Sequence, residues 1–316
     1  MNEQARVAVT SRSFSKNTVL RHALEACYRN VTFNEEGRSL AGQDLIAFLG
    51  GHDKAITALE RLDAAVFSGA PELRVISKYG VGLDMIDLPA MDAAGVMLGW
   101  TGGLNRRSVA ELVISAAIAL LHRVPVATLE VREGLWRQVV GRQLTGRTMG
   151  IIGCGHVGKD VAMLARAFGC RVLAHDLLDF PDFYRHCDVQ PVELVTLLNE
   201  SDVVTVHVPL DSSTRRMLNA DRLALMRPDA VLINMARGGI VDEQALLQML
   251  LAGRLAGAAL DVLEDEPPSD RALLQLPNVI ATPHIGGSTE EAILAMGLAA
   301  IEGLDSAKLP RQLGLL

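Results

Sequence analysis

Thr148-Met149-Gly150-Ile151-Ile152 is a short apolar run that leads into Gly153-Cys154-Gly155-His156-Val157-Gly158, and a second run, Arg171 to His175, ends in Asp176. The pattern predicts a strand, a tight turn, a helix and a second strand. Gly153 permits the turn, Gly155 lets backbone N–H groups approach a pyrophosphate, and Gly158 lets the helix pack closely on the strand, with the phosphates at its positive N-terminus. Asp176 falls about 20 residues further on, where a carboxylate accepts hydrogen bonds from an adenosine ribose. Glycine-rich turns are common, so G-x-G-x-x-G alone is a weak signal. The strand before it, the helix after it and the acid at the second strand end together define a dinucleotide site. Almost half the chain precedes this motif, enough for a separate domain.

The 316 residues are 49% hydrophobic, which suits about two domains with well-buried cores. A formal charge of −7 and the lack of a basic cluster point away from nucleic acid and toward small-molecule partners. The opening MNEQARVAVT has no basic region followed by an apolar core, and the longer apolar stretches are broken by charge or glycine. A cytoplasmic protein without membrane contact is therefore expected. Cys27, Cys154, Cys170 and Cys187 show no C-x-x-C spacing, so buried free thiols are expected rather than disulfides or metal ligands, and no metal site is expected.

Strand-length apolar runs alternate with helix-length amphipathic segments throughout, the signature of parallel α/β sheets. Five candidate strands come first: Arg6 to Val9, Asn30 to Phe33, Lys54 to Thr57, Leu73 to Ser77 and Val96 to Leu98. A long apolar-rich helix, Asn105 to His122, forms the crossover. Six strands follow: Thr148 to Ile152, Arg171 to His175, Val203 to Val206, Ala230 to Asn234, Gly257 to Asp261 and Val279 to Ala281. A closing helix, Thr289 to Leu304, is expected to return to the first domain. The fold class read from this is α/β with two doubly wound parallel-sheet domains. A Rossmann domain over 99–287 is inserted into a smaller, flavodoxin-like substrate domain of 1–98 and 288–316. Val109, Leu112, Val113, Ala116, Ala117, Leu120 and Leu121 give the crossover helix more apolar surface than one core-facing stripe needs, which predicts a two-fold homodimer around it.

Ligands of open α/β sheets bind beyond the carboxyl ends of the strands, which directs attention to three residues of the second sheet. Arg237, in NMARGGIVDE, has a guanidinium suited to clamping a carboxylate. Glu266, in DVLEDEPP, follows the next strand, although charge alone does not separate it from Glu264 and Asp265. His284, in TPHIGGST, follows the last. A histidine positioned by a carboxylate can donate a proton to a carbonyl that receives hydride, while arginine orients and polarises the substrate.

These segments resemble the D-isomer-specific 2-hydroxyacid dehydrogenases, a family that includes phosphoglycerate dehydrogenases and glyoxylate/hydroxypyruvate reductases. KYGVGLDMIDLPAMDAAGV, NRRSVAELVISAAIALLHRVP, GRTMGIIGCGHVGKDVA, HVPLDSSTRRMLN, INMARGGIVDEQAL, AALDVLEDEPP and TPHIGGST match in order across nearly the whole chain. The resemblance implies an NAD-dependent interconversion of a D-2-hydroxy acid and its 2-keto acid, with Arg237, Glu266 and His284 as catalytic residues. It places His156, Val157, His207, Val208, Pro209, Thr214, Ala236 and Gly286 beside the NAD, together with Arg237 and His284, and Asp261 on the nicotinamide carboxamide. It also implies that backbone from Val81 through Gly82 to Leu83 holds the substrate carboxylate, with Arg237 and His284 on the same substrate.

Two departures stand out. Met85 occupies a position that is commonly asparagine, and, with the sequence ending at Leu316, the extra regulatory domain of some phosphoglycerate dehydrogenases is not expected. Lys78 precedes the glycine turn and resembles a second anion site for phosphorylated acids; the alternative is an ordinary exposed lysine. Two other functions stay open at this level: a non-catalytic, corepressor-like NAD(H)-binding scaffold, and a formate- or phosphite-type dehydrogenase of the same superfamily.

Overall fold

The computed structural model describes residues 2–316, which form two compact units. Met1–Asn105 with Glu290–Leu316 make the first, and Arg106–Thr289 the second. The chain passes between them a few residues beyond the divisions expected at 98/99 and 287/288.

The first unit holds β1 (Asn2–Val9), β2 (Tyr28–Phe33), β3 (Lys54–Thr57), β4 (Val75–Lys78) and β5 (Met97–Gly99) in the order β2-β1-β3-β4-β5. All four pairings are parallel, and the order is the flavodoxin-like one. Val7 and Val9 point into one apolar layer and Ala8 into the other, the alternation expected of a strand buried on both faces. The helix Glu290–Ser306 belongs to this unit, and its fit depends on glycine: a Cβ at Gly99 would stand 2.2 Å from the Gly303 carbonyl oxygen.

The second unit contains β6 (Thr148–Ile152), β7 (Arg171–His175), β8 (Val189–Pro191), β9 (Val203–Val206), β10 (Val231–Asn234), β11 (Gly257–Leu260) and β12 (Val279–Ala281). Their order, β12-β11-β10-β9-β6-β7-β8, is that of a dinucleotide fold with one further strand, and it reverses between β6 and β9. Seven strands stand where six were expected. The addition is β8, three residues long and ending in Pro191, too short for a periodic signal; its place at the sheet edge is where a residue without an N–H is tolerated.

The crossover helix runs from Arg106 to Leu121, and here the surface argument for a dimer is overturned. Val109, Val113, Ala116, Ala117, Leu120 and Leu121 are all buried in the core of this unit, with Leu112 packed against them. The helix is apolar on several faces because it is enclosed by the cofactor-side helix His156–Ala167 and by β10 and β11. The exposed apolar residues lie just after it, at Leu129, Val131, Leu135, Trp136 and Val140, the last two 88% and 89% exposed. Among the described residues no single helix is long and apolar enough to cross a membrane. All four cysteines are free, and Cys27 is exposed rather than buried because it ends the helix Thr18–Cys27 on its solvent side.

Candidate active site

At the end of β6 each glycine of the turn has a distinct steric reason. Gly153 has φ +93°, and a Cβ on it would stand 2.7 Å from the His207 carbonyl. Gly158 lies against the turn itself, since its Cβ would fall 2.0 Å from the Gly153 carbonyl oxygen. Gly155 is different: a Cβ there meets nothing within 4 Å. It caps the helix His156–Ala167 without any side-chain hydrogen bond, so the first N–H groups of a 12-residue helix face open space, with Gly155 and His156 exposed and Val157 half-buried. Unsatisfied N–H groups at a helix start, approached over a bare glycine, fit a pyrophosphate.

Asp176 follows β7 and braces this turn. Its Oδ2 accepts the Cys154 N–H at 2.5 Å and its Oδ1 the Leu178 N–H at 2.8 Å. The carboxylate retains acceptor capacity for ribose hydroxyls. Beyond β7 and β8 lies a hollow of about 410 Å³ lined by His175, Asp176, Leu177, Leu178, Tyr184 and Val192. The Cys154 thiol is buried within the turn, and that burial pushes it up to about 11. On the other side of the turn, His207 donates its N–H to the Ile152 carbonyl at 2.7 Å, and its Nε2 meets the Thr205 hydroxyl at 2.9 Å. Burial holds its imidazole down to about 3, so it is neutral and does not titrate near pH 7. Val208 and Pro209 continue this loop, and the Thr214 hydroxyl closes it by donating to the Pro209 carbonyl at 2.6 Å.

Arg237, Glu266 and His284 follow β10, β11 and β12, three neighbours in the sheet. His284 Nδ1 lies 2.9 Å from Glu266 Oε2. An ionised carboxylate only accepts, so Nδ1 carries the proton of this bond and Nε2 is the ring nitrogen left for a substrate. Glu266 Oε1 in turn accepts the Leu263 N–H at 3.1 Å, which fixes the carboxylate on its own loop. Of the neighbouring acids that charge could not distinguish, Glu264 is engaged elsewhere: it pairs with Arg216, and its N–H donates to Glu243.

His284 is held with φ +56°, a conformation uncommon for a residue bearing a Cβ. The turn that imposes it is anchored on Asp261, which is 2% exposed. Asp261 Oδ1 accepts the Thr282 hydroxyl at 2.6 Å and the Ile285 N–H at 2.7 Å, and Oδ2 accepts the Gly286 N–H at 2.7 Å. Three of its four acceptor positions thus serve the histidine turn. This anchoring was not readable from sequence, because strand-end aspartates look alike.

Arg237 is half-buried and donates through Nη1 to the Ala236 carbonyl at 2.7 Å, while its own carbonyl accepts Asn234 Nδ2 at 2.9 Å. Gly238 beside it lies so close to the glutamate loop that a Cβ would stand 1.8 Å from the Leu263 carbonyl oxygen. Arginine and glutamate loops are therefore packed backbone to backbone, a restraint hidden from sequence.

In the first unit, the loop after β4 carries Val81, Gly82 and Leu83, all half-buried. Lys78 is no ordinary exposed lysine. It is 6% exposed, and its ammonium donates to the Ala58 carbonyl. Met85 is 39% exposed, and its carbonyl accepts the Leu62 N–H. Among the described residues no three His, Cys, Asp or Glu side chains are grouped to hold a metal.

A dinucleotide sheet with an uncapped glycine turn, and a histidine–carboxylate pair beside an arginine at its strand ends, define an NAD-dependent oxidoreductase of small acids. Residues 114–286 match the family model described as D-isomer specific 2-hydroxyacid dehydrogenase, NAD binding domain. The chain belongs to that family. It is 37% identical over 269 residues to a hydroxypyruvate reductase of Thermotoga maritima, covering 82% of this chain and 84% of that protein. To the D-3-phosphoglycerate dehydrogenase of Rattus norvegicus it is 36% identical over 285 residues, 88% of this chain but only 54% of the relative. The chain thus spans about half the length of that dehydrogenase. The structure of D-lactate dehydrogenase from Aquifex aeolicus complexed with NAD and lactic acid superimposes with a TM-score of 0.82 at 26% identity, covering 99% of this chain and 96% of the other. The sequence-level resemblance, the α/β fold of two parallel sheets and NAD as cofactor all stand.

Proposed function

We propose that this dehydrogenase reduces a short 2-oxo acid, hydroxypyruvate to the D-2-hydroxy acid or glyoxylate to its achiral 2-hydroxy acid, with His284 as the proton donor. The observation that carries the assignment is the 2.9 Å bond between His284 Nδ1 and Glu266, which leaves Nε2 as the ring nitrogen free to pass a proton to a substrate oxygen. When bound, NADH supplies the hydride. Gly155 and the start of the helix His156–Ala167 hold its pyrophosphate, and Asp176 its adenosine ribose. Glu266 orients His284, Asp261 positions the turn that carries it, and Arg237 orients the keto acid and polarises its carbonyl. The backbone from Val81 to Leu83 takes the carboxylate.

Engagement of the Lys78 ammonium by the Ala58 carbonyl favours substrates without a second anion over phosphohydroxypyruvate. The exposed row Leu129, Val131, Leu135, Trp136 and Val140 supports a homodimer formed through the segment after the crossover helix. The charge of −7 and the small-molecule chemistry are in keeping with a cytoplasmic enzyme. Steady-state rates with hydroxypyruvate, glyoxylate, pyruvate, phosphohydroxypyruvate, formate and phosphite test the assignment. The first two should give the highest kcat/KM, and a preference for phosphohydroxypyruvate would reverse the reading of Lys78.

A further inference from the structure

We infer that Trp100 is a positioning residue for the substrate carboxylate and reports its binding; this rests on the reading that Val81–Leu83 receive that carboxylate. Trp100 follows β5 directly, is half-buried, and donates its indole N–H to the Val81 carbonyl at 3.0 Å. A trans peptide is planar, with its C=O and N–H pointing in opposite directions. Fixing the Val81 oxygen therefore fixes the Gly82 N–H, directed away from the indole. The N–H groups of Gly82 and Leu83 donate to no other group among the described residues, so they stay available to an anion.

The rest of the loop is tied down on either side. Before it, the Tyr79 N–H donates to the Thr57 carbonyl at 2.8 Å, and its ring packs edge-on against Phe14 with centroids 5.4 Å apart. After it, Leu62 donates its N–H to Met85, and Asp87 donates to Leu62, each at 2.8 Å. Between these anchors Gly80 has φ +134° and Gly82 adds a second glycine, so the centre of the loop is its least restrained part. The indole holds that centre. On that reading its energetic effect falls on the keto acid, whose carboxylate the loop receives.

Trp100→Phe retains an aromatic ring and removes the donor. The expected result is a KM for glyoxylate raised about fivefold to tenfold, as for loss of one hydrogen bond. The kcat should stay within about twofold and NADH affinity should be unchanged. Oxamate, a keto-acid isostere, should change the tryptophan emission of the NAD⁺-saturated wild type, and that change should vanish in Trp100→Phe although Trp136 remains. An unchanged KM, or an oxamate response that survives in Trp100→Phe, would overturn the inference. If Trp100→Phe does not fold, Trp100→His, which keeps an N–H, must hold KM within about threefold of wild type. A wild type that reduces no keto acid would strike the functional assignment instead, and the oxamate titration would then decide the role of Trp100 alone.

Discussion

Replacing Asp176 should change which cofactor the enzyme uses, and the size of the change follows from its surroundings. Its carboxylate faces the hollow beyond β7, flanked by Leu177 and Leu178, which are 89% and 66% exposed and supply no cation. A 2'-phosphate of charge near −2 placed about 5 Å from it is repelled by about 1.7 kcal/mol in water. Loss of a ribose hydrogen bond to a charged acceptor adds about 1.5 kcal/mol. The sum, about 3 kcal/mol, is a preference for NADH over NADPH of roughly a hundredfold, and it shrinks as salt screens the charge. Asp176→Asn removes the charge and keeps an acceptor for one of the N–H groups of Cys154 and Leu178. The ratio of kcat/KM for the two cofactors, measured with glyoxylate, should fall to within about fivefold. Loosening of the turn would lower both values together and leave their ratio alone. Equal use of both cofactors by the wild type, or an unaltered ratio in Asp176→Asn, would refute the reasoning.

Three further outcomes are expected. Gly158→Ala forces a methyl group to 2.0 Å from the Gly153 carbonyl; it should cost about 1–3 kcal/mol of stability and weaken NADH binding at least tenfold, checked by denaturant unfolding and fluorescence titration. His207, held at about 3 when folded against about 6.5 when unfolded, takes up its proton only on unfolding. The native state thus loses stability as pH falls from about 6.5 toward 3, by about 2 kcal/mol between pH 7 and 5. His207→Asn should flatten that part of the stability profile, and an identical pH dependence would show that the ring is not held neutral. Trp136→Glu, on the exposed apolar row, should shift sedimentation from dimer toward monomer; an unchanged mass would place the interface elsewhere.

The glycine turn, Asp176 at its strand end and the positions of most strands along the chain were legible because backbone conformation and burial leave local traces in sequence: glycine where a Cβ has no room, alternation where a strand is buried on both faces. His284 and Glu266 were legible as strand-end residues, and a histidine positioned by a carboxylate was expected there, but charge alone did not separate Glu266 from Glu264 and Asp265, because the bond joins loops 18 residues apart. Three features were hidden for the same reason, that they depend on tertiary contact. Asp261 anchors the histidine turn, Gly238 packs on the glutamate loop, and Trp100 restrains the loop after β4. The crossover helix misled for the opposite cause. Its surplus of apolar residues marks enclosure by its own unit, and composition does not distinguish that from an interface.

The proton-donating role of His284 is tested most directly by NADH oxidation with glyoxylate and hydroxypyruvate, comparing wild type with His284→Ala and measuring NADH binding in parallel. The expected result is rapid wild-type turnover, a kcat lowered by about 10²–10⁴ in His284→Ala, and NADH affinity near that of wild type. A His284→Ala enzyme with undiminished kcat would contradict it.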